Sequence, residues 1–181
     1  LHYSLHSFPT RRSSDLNHAP EVYSYDLAKK TWKQITKVND EAYAKIASCK
    51  TEKRWVTTTD GKKMLVWVIL PPNFDKTKKY PALLYCQGGP QSALTQSYSF
   101  RWNFQLMASQ GYVIVAPNRR GMPGHGTAWN EQISGDWGGQ VMDDYLAAID
   151  DVAKETYVDK TRLGAVGASY GGYSVFQLAG I

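Results

Sequence analysis

The sequence predicts an α/β protein, and three observations carry that prediction. From Tyr80 onward, short apolar runs alternate with stretches of helical periodicity, the pattern of strands feeding crossover helices. Just before this, an Asp60-Gly61 turn separates two β-rich runs, which predicts an antiparallel hairpin added to the front edge of the sheet. Near the end, residues 163–166 form a short apolar strand that runs into Gly167-Ala168-Ser169-Tyr170-Gly171 and then into an apolar helical stretch.

Taken in order, the opening segment stands apart. Residues 6–16, His-Ser-Phe-Pro-Thr-Arg-Arg-Ser-Ser-Asp-Leu, back-translate in frame into a string that resembles a common short-read sequencing adapter. Residues 1–16 are therefore expected to come from library construction rather than from the gene, and to lie outside the fold. Residues 21–27 and 31–36 are strand-like runs joined by Ala28-Lys29-Lys30, a hairpin. Two strands alone are marginal in water, so this hairpin is expected to belong to a larger sheet. Residues 39–48 read as a connector with some helical character.

The second hairpin pairs residues 54–58 with 63–70, with positive φ expected at both Asp60 and Gly61. Residues 64–70 are apolar throughout, the signature of a strand covered on both faces, and Pro71-Pro72 ends it. Residues 81–86 are a buried strand, 99–110 a helix stopped by Gly111, and 112–116 another buried strand ended by Pro117. Met142, Tyr145, Leu146, Ile149, Val152 and Ala153 recur at helical spacing, with Asp136 near the start.

Composition bounds the function. At 181 residues, 43% hydrophobic and 13% aromatic, the chain can bury a sizeable core. The net charge of +5 comes from scattered lysines such as Lys29, Lys30, Lys33, Lys62, Lys63, Lys76, Lys78 and Lys79, which suits a solvated surface. A nucleic-acid partner would need them clustered on one face, so none is expected. No apolar run reaches membrane-spanning length, and no membrane partner is expected. Cys49 and Cys86 are far apart, lack metal-ligand spacing and report little; Cys86 reads as a buried thiol, with a Cys49–Cys86 disulfide left open, and neither metal nor cofactor is expected.

The chemistry centres on Ser169. On a tight strand-to-helix turn its hydroxyl projects from the top edge of the sheet, while side chains at Gly167 and Gly171 would collide there. Ser169 is the candidate nucleophile, and the N–H of Tyr170, at the helix N-terminus, is the candidate oxyanion donor. The competing reading is a glycine-rich turn with an inert serine; the strand before and the helix after argue against it. In an elbow fold the acid and then the histidine follow the serine, so both are expected beyond Ile181. His2, His6, His18 and His125 all precede it, and His125, between Gly124 and Gly126, reads as a packing residue. Gly88-Gly89-Pro90 in isolation is an ordinary turn. Ahead of an elbow by the right number of strands, it reads as the oxyanion loop, with Gly88 and Gly89 supplying a backbone donor.

Gly88-Gly89-Pro90, Asn118-Arg119-Arg120-Gly121 with Gly124-His125-Gly126, Asp136-Trp137-Gly138 and Gly167-Ala168-Ser169-Tyr170-Gly171-Gly172 together resemble the prolyl oligopeptidase family of serine peptidases. The resemblance runs from about Glu21 to Ile181 and looks most like the acylaminoacyl-peptidase and dipeptidyl-peptidase 5 branch. It implies the N-terminal half of an α/β-hydrolase fold, preceded by the last strands of a β-propeller. Residues 17–48 would be the propeller end and connector, and 49–181 the catalytic domain, cut after the elbow. Where some relatives place an oxyanion-binding tyrosine, this chain has Gln87, which leaves the Gly88 or Gly89 backbone as the donor. Arg120 and Asp143 fall at positions that are mainly structural in relatives.

The function so implied is a metal-free serine peptidase that cleaves short peptides through an acyl-enzyme, with a peptide substrate as partner and a homo-oligomer of the full-length enzyme left open. The given chain is expected to be inactive without the downstream acid and histidine. The resemblance favours a periplasmic over a cytoplasmic location. A carboxylesterase on the same fold is the alternative within enzymes, and a scaffold that kept the fold but lost catalysis is the alternative outside them.

Overall fold

The computed structural model describes residues 11–181, which fall into two compact units. The first lies within Leu1–Ser48 and includes Gln96–Asn103; the second comprises Cys49–Thr95 and Phe104–Ile181.

In the first unit, β1 (Arg11–Asp15), β2 (His18–Asp26) and β3 (Thr31–Gln34) form an antiparallel sheet in that order. The hairpin predicted between residues 21 and 36 is the β2–β3 pair, with Asp26 opposite Thr31. Its turn is closed by Asp26, whose Oδ1 accepts the N–H groups of Ala28 (3.0 Å) and Lys29 (2.9 Å), the local bonding that makes aspartate a turn residue. Arg11–Asp15, within the segment expected to be foreign, pairs with β2, Arg11 opposite Tyr23. The rest of that segment, residues 1–10, lies outside the described residues. The helical character expected in 39–48 is α1 (Asp40–Tyr43).

The second unit is a mixed five-stranded sheet with helices. It contains β4 (Lys50–Thr57), β5 (Lys63–Leu70), β6 (Tyr80–Cys86), β7 (Val113–Pro117) and β8 (Val158–Gly167), in the spatial order β4-β5-β7-β6-β8. The β4–β5 hairpin sits at one edge as predicted, and β7, β6 and β8 run parallel. Only Gly61 of the hairpin turn has positive φ (81°), not Asp60. Thr58 N–H still bonds to Lys62 (2.9 Å), and Gly61 N–H bonds to the Thr58 carbonyl (2.9 Å). This is a three-residue loop ending in a left-handed glycine, which needs positive φ at one position rather than two.

β5 is buried from Met64 except at the half-buried Leu65, and all of β7 is buried, so the centre of the sheet is covered on both faces. Over it lies α4 (Gln140–Ala153), presenting Val141, Met142, Tyr145, Ala148, Ile149 and Val152 at helical spacing. Burying such an aliphatic side chain contributes about 1.5–3 kcal/mol, so this stripe seats the helix. Asp136 lies outside the helix, with its carboxylate over Gly139, where a Cβ would come within 2.3 Å of it.

Three elements differ from expectation. The helix predicted over 99–110 is α2 (Phe104–Ser109) alone, because the Ser99 hydroxyl accepts the Trp102 N–H (2.9 Å) and offers the backbone a turn instead. α3 (Thr127–Glu131) was not predicted; its five residues are too few to show a period. β8 is longer than the 163–166 run: the buried Val158 pairs with Tyr80, and the polar residues 159–162 fall in an irregularity before pairing resumes with Leu163 opposite Ala82.

Candidate active site

β6, β7 and β8 are parallel, so the segments that follow their last residues leave from one edge of the sheet. Those segments carry Gln87-Gly88-Gly89-Pro90, Asn118-Arg119-Arg120-Gly121 and Ala168-Ser169, the three groups singled out by motif. Ser169 lies between β8 and α5 (Tyr170–Leu178), exposed, with φ 57° and ψ −128°. That backbone region is costly for a side-chain-bearing residue, about 1–3 kcal/mol, and persists only where the surroundings enforce it.

The enforcing contacts are made by main chain. Gly167 pairs with Cys86 across β6 and β8. A Cβ on Gly167 would lie 2.6 Å from the Cys86 carbonyl oxygen, and one on Gly171 would lie 1.9 Å from the same atom. Both glycines thus let α5 start directly on the end of β6. Gly171 N–H closes the turn on the Ala168 carbonyl (2.9 Å), and Tyr173 N–H on that of Ser169 (3.0 Å). A Cβ on Gly88 would come within 3.0 Å of the Ala168 carbonyl oxygen and 3.5 Å of Ser169 Cβ, so the loop after β6 lies against the serine itself. Gly89, at φ 130°, could carry a side chain only under strain.

Tyr170 is the first residue of α5, and an N–H at that position has no carbonyl one turn back to bond. Its ring is buried, and its hydroxyl donates to the Trp137 carbonyl (2.7 Å); burial pushes the phenol pKa up. Trp137, about half exposed, packs edge-on against that ring at 5.4 Å. The Gln87 side chain is engaged within its own loop, accepting from the Tyr85 hydroxyl (2.8 Å) and donating to Ser92 Oγ (3.3 Å).

The residues after β7 frame the site. Asn118 holds both polar groups of Leu94, accepting its N–H (2.9 Å) and donating to its carbonyl (3.0 Å). Arg119 is completely buried beneath the loop after β6. Arg120 turns to the hairpin and α4: it pairs with Asp60, with Thr58 and with the fully buried Asp144, and stacks over Trp129 at 5.1 Å. Hydrogen bonding from Arg120 holds the Asp60 carboxyl well below its usual range, whereas burial raises that of Asp144. Asp143, expected at a structural position, is exposed, whereas its neighbour Asp144 is the buried partner of Arg120. Sequence reasoning missed the work of Asn118 and Arg119. The available signal was three polar residues directly after an all-apolar strand, at the edge where parallel sheets carry their sites.

His125 packs edge-on against Trp55 (6.4 Å between ring centres) and Trp129 (6.2 Å). Cys49 and Cys86 are free, buried thiols, so they form no disulfide, and burial pushes their pKa values up to about 11 and about 12. Among the described residues no cluster of three or more His, Cys, Asp or Glu is arranged to hold a metal ion, and no helix is long and apolar enough to cross a membrane.

Sheet and turn together define an α/β protein with a strand–serine–helix elbow at the C-terminal edge of its parallel strands. The sequence profile of the prolyl oligopeptidase family matches residues 98–180. The chain is 57% identical over 160 residues to a dipeptidyl-peptidase 5 of Porphyromonas endodontalis, covering 88% of this chain and 23% of that protein. It is 62% identical over 146 residues to a dipeptidyl-peptidase 5 of Porphyromonas gingivalis, covering 81% of this chain and 21% of that protein. The structure is similar to Pyrococcus horikoshii acylaminoacyl peptidase at a TM-score of 0.82 and 25% identity, covering 91% of this chain and 26% of that one. The chain belongs to the prolyl oligopeptidase family. It spans about a quarter of the length of the relatives it matches.

Proposed function

We propose that this chain is the elbow-bearing part of a serine peptidase that cleaves short peptides, of the dipeptidyl- or acylaminoacyl-peptidase type. The observation that carries the reading is Ser169 itself, exposed at φ 57° immediately before α5 with Gly88 against its Cβ. In the proposed reaction Ser169 Oγ attacks the scissile carbonyl carbon and its proton passes to a base. The tetrahedral oxyanion is held by Tyr170 N–H and by the backbone of Gly88 or Gly89, each such donor contributing about 3 kcal/mol to barrier lowering. The C–N bond then breaks as the amine leaves with the proton, and water hydrolyses the acyl-serine.

The base and its orienting acid are proposed to follow Ser169 in the full-length enzyme, and the given chain alone to turn over nothing. The antiparallel β2–β3 pair and the short α1 after it support reading residues 17–48 as the end of a propeller and its connector, with 49–181 as the hydrolase domain.

The test is hydrolysis of dipeptidyl and acyl-aminoacyl chromogenic substrates, and of simple esters, by the full-length enzyme and its Ser169→Ala variant. Peptide turnover that Ser169→Ala abolishes while substrate binding persists is the expected result. Turnover of esters with dipeptidyl substrates untouched would replace the peptidase by a carboxylesterase. No turnover of either, unchanged by the substitution, would make the protein a scaffold.

A further inference from the structure

We propose that Arg119 is a positioning residue for the oxyanion hole, a buried cation that ties the loop after β6 and the first residue of α5 into one unit. The proposal rests on the peptidase reading above. Its starting point is a charge with an unusual set of partners. The Arg119 side chain is 0% exposed, and it is met by carbonyls and rings rather than by a carboxylate. Nη2 donates to the Gln87 carbonyl (3.2 Å), and Nη1 to the carbonyls of Pro90 (2.7 Å) and Arg120 (2.7 Å). Nε donates to the Tyr145 hydroxyl (3.0 Å), and the guanidinium carbon lies 4.8 Å from the centre of the Tyr170 ring.

A buried, unpaired charge costs several kcal/mol, and a well-packed apolar side chain would hold the core together more cheaply. What an apolar side chain cannot do is fix carbonyls. The two loop carbonyls that Arg119 binds bracket Gly88 and Gly89, the residues with the most backbone freedom in the site. In a trans peptide the N–H points opposite to the carbonyl of the same unit, so fixing the Gln87 carbonyl also fixes the direction of Gly88 N–H. Both bonds are charge-assisted, and the planar fork reaches two separated acceptors from two nitrogens at a fixed spacing, where an ammonium gathers all its donors on one. The same guanidinium stacks on Tyr170, whose N–H is the other proposed donor. One side chain thus sets the spacing between two donor segments that lie in different parts of the sequence.

The experiment uses the full-length enzyme with Arg119→Met and Arg119→Lys. It measures kcat and KM on a dipeptidyl chromogenic substrate, affinity for a peptide aldehyde whose hemiacetal oxygen occupies the oxyanion position, and the thermal unfolding midpoint. Losing a donor outright costs about 10²–10³ in kcat, so loosening two should cost about 10- to 100-fold. The expected result for Arg119→Met is that loss in kcat, with KM within about threefold and aldehyde affinity falling in step with kcat/KM. Arg119→Lys should recover only part of it. A folded Arg119→Met enzyme with parental kcat overturns the proposal, as does a loss confined to KM, or full recovery by Arg119→Lys. If Arg119→Met does not fold, Arg119→Lys decides alone: parental kcat and aldehyde affinity refute the clamp, and a parallel loss in both supports it. The Ser169→Ala control separates the two levels. If it retains parental turnover, the peptidase reading has failed and takes this inference with it; if it is dead while Arg119→Met is fully active, only the clamp is wrong.

Discussion

Two adjacent glycines should respond in opposite ways to the same added methyl group. At Gly171 a Cβ would stand 1.9 Å from the Cys86 carbonyl oxygen and 2.8 Å from the carbonyl carbon. Main-chain atoms cannot swing aside, so α5 and the end of β6 must part by about 1.5 Å to restore van der Waals distance. Overpacking of this kind costs about 1–3 kcal/mol. A displacement of about 1 Å at a reacting group already costs about 10²-fold in rate. At Gly172 the nearest atom to a new Cβ is the Gly167 carbonyl oxygen at 3.7 Å, an ordinary contact, and φ is not positive. Alanine there should stabilise α5 by about 0.5–1 kcal/mol through helix propensity. Both variants are made in the full-length enzyme and compared by kcat/KM and thermal unfolding. Gly171→Ala should fall in both measures, and Gly172→Ala should hold its rate and unfold slightly higher. If Gly171→Ala keeps its kcat/KM within about twofold, the close seat of α5 on β6 is not what fixes the serine.

Ser169→Gly should abolish turnover yet raise stability by about 1 kcal/mol, because glycine accepts φ 57° without strain; an unchanged or lower unfolding midpoint would show that the turn holds no strain. Asp60 has a carboxyl pKa held below its ordinary value of 3.8 by hydrogen bonding from Arg120. Its contribution is therefore complete above that value and is lost as pH falls through the folded-state pKa. Asp60→Asn should lower stability at neutral pH and flatten the acid limb below about pH 4, read from unfolding midpoints across pH; parallel curves for the two proteins would refute it. The adapter reading predicts that deleting residues 1–16 leaves the unfolding midpoint unchanged, whereas the pairing of Arg11–Asp15 with β2 and the burial of Leu16 predict that it falls. Slow amide exchange in Arg11–Asp15, whose partners are on β2, would instead mark that strand as part of the fold.

The central strands and α4 were legible because burial writes a period into the sequence: β5 and β7 are apolar end to end, and α4 repeats its buried positions every three or four residues. The elbow was legible because its glycines have no other reason to flank a serine so closely. What failed to show depends on single-residue geometry. Asp143 and Asp144 differ by about 100° around α4, and composition says nothing about which one turns inward. Asp60-Gly61 fits a two-residue turn and a three-residue one equally well, and Thr58 decides between them by pairing with Lys62. Arg119 and Arg120 are identical in type and adjacent in sequence, yet one serves the loop after β6 and the other the hairpin and α4. Nothing local distinguishes them.

The seat of the elbow is made almost wholly of main chain: the Cys86 carbonyl against Gly167 and Gly171, and the Ala168 carbonyl against Gly88. Such a joint has no side chain to trade, so variation among relatives cannot adjust the distance between serine and loop by degrees; it can only preserve the joint or break it. The positions free to change are those that pack on Tyr170 and keep an open face, Trp137 and Tyr173, both more than a third exposed. Divergence in what this scaffold accepts would therefore be written on that aromatic rim, while the hinge of backbone beneath it stays fixed.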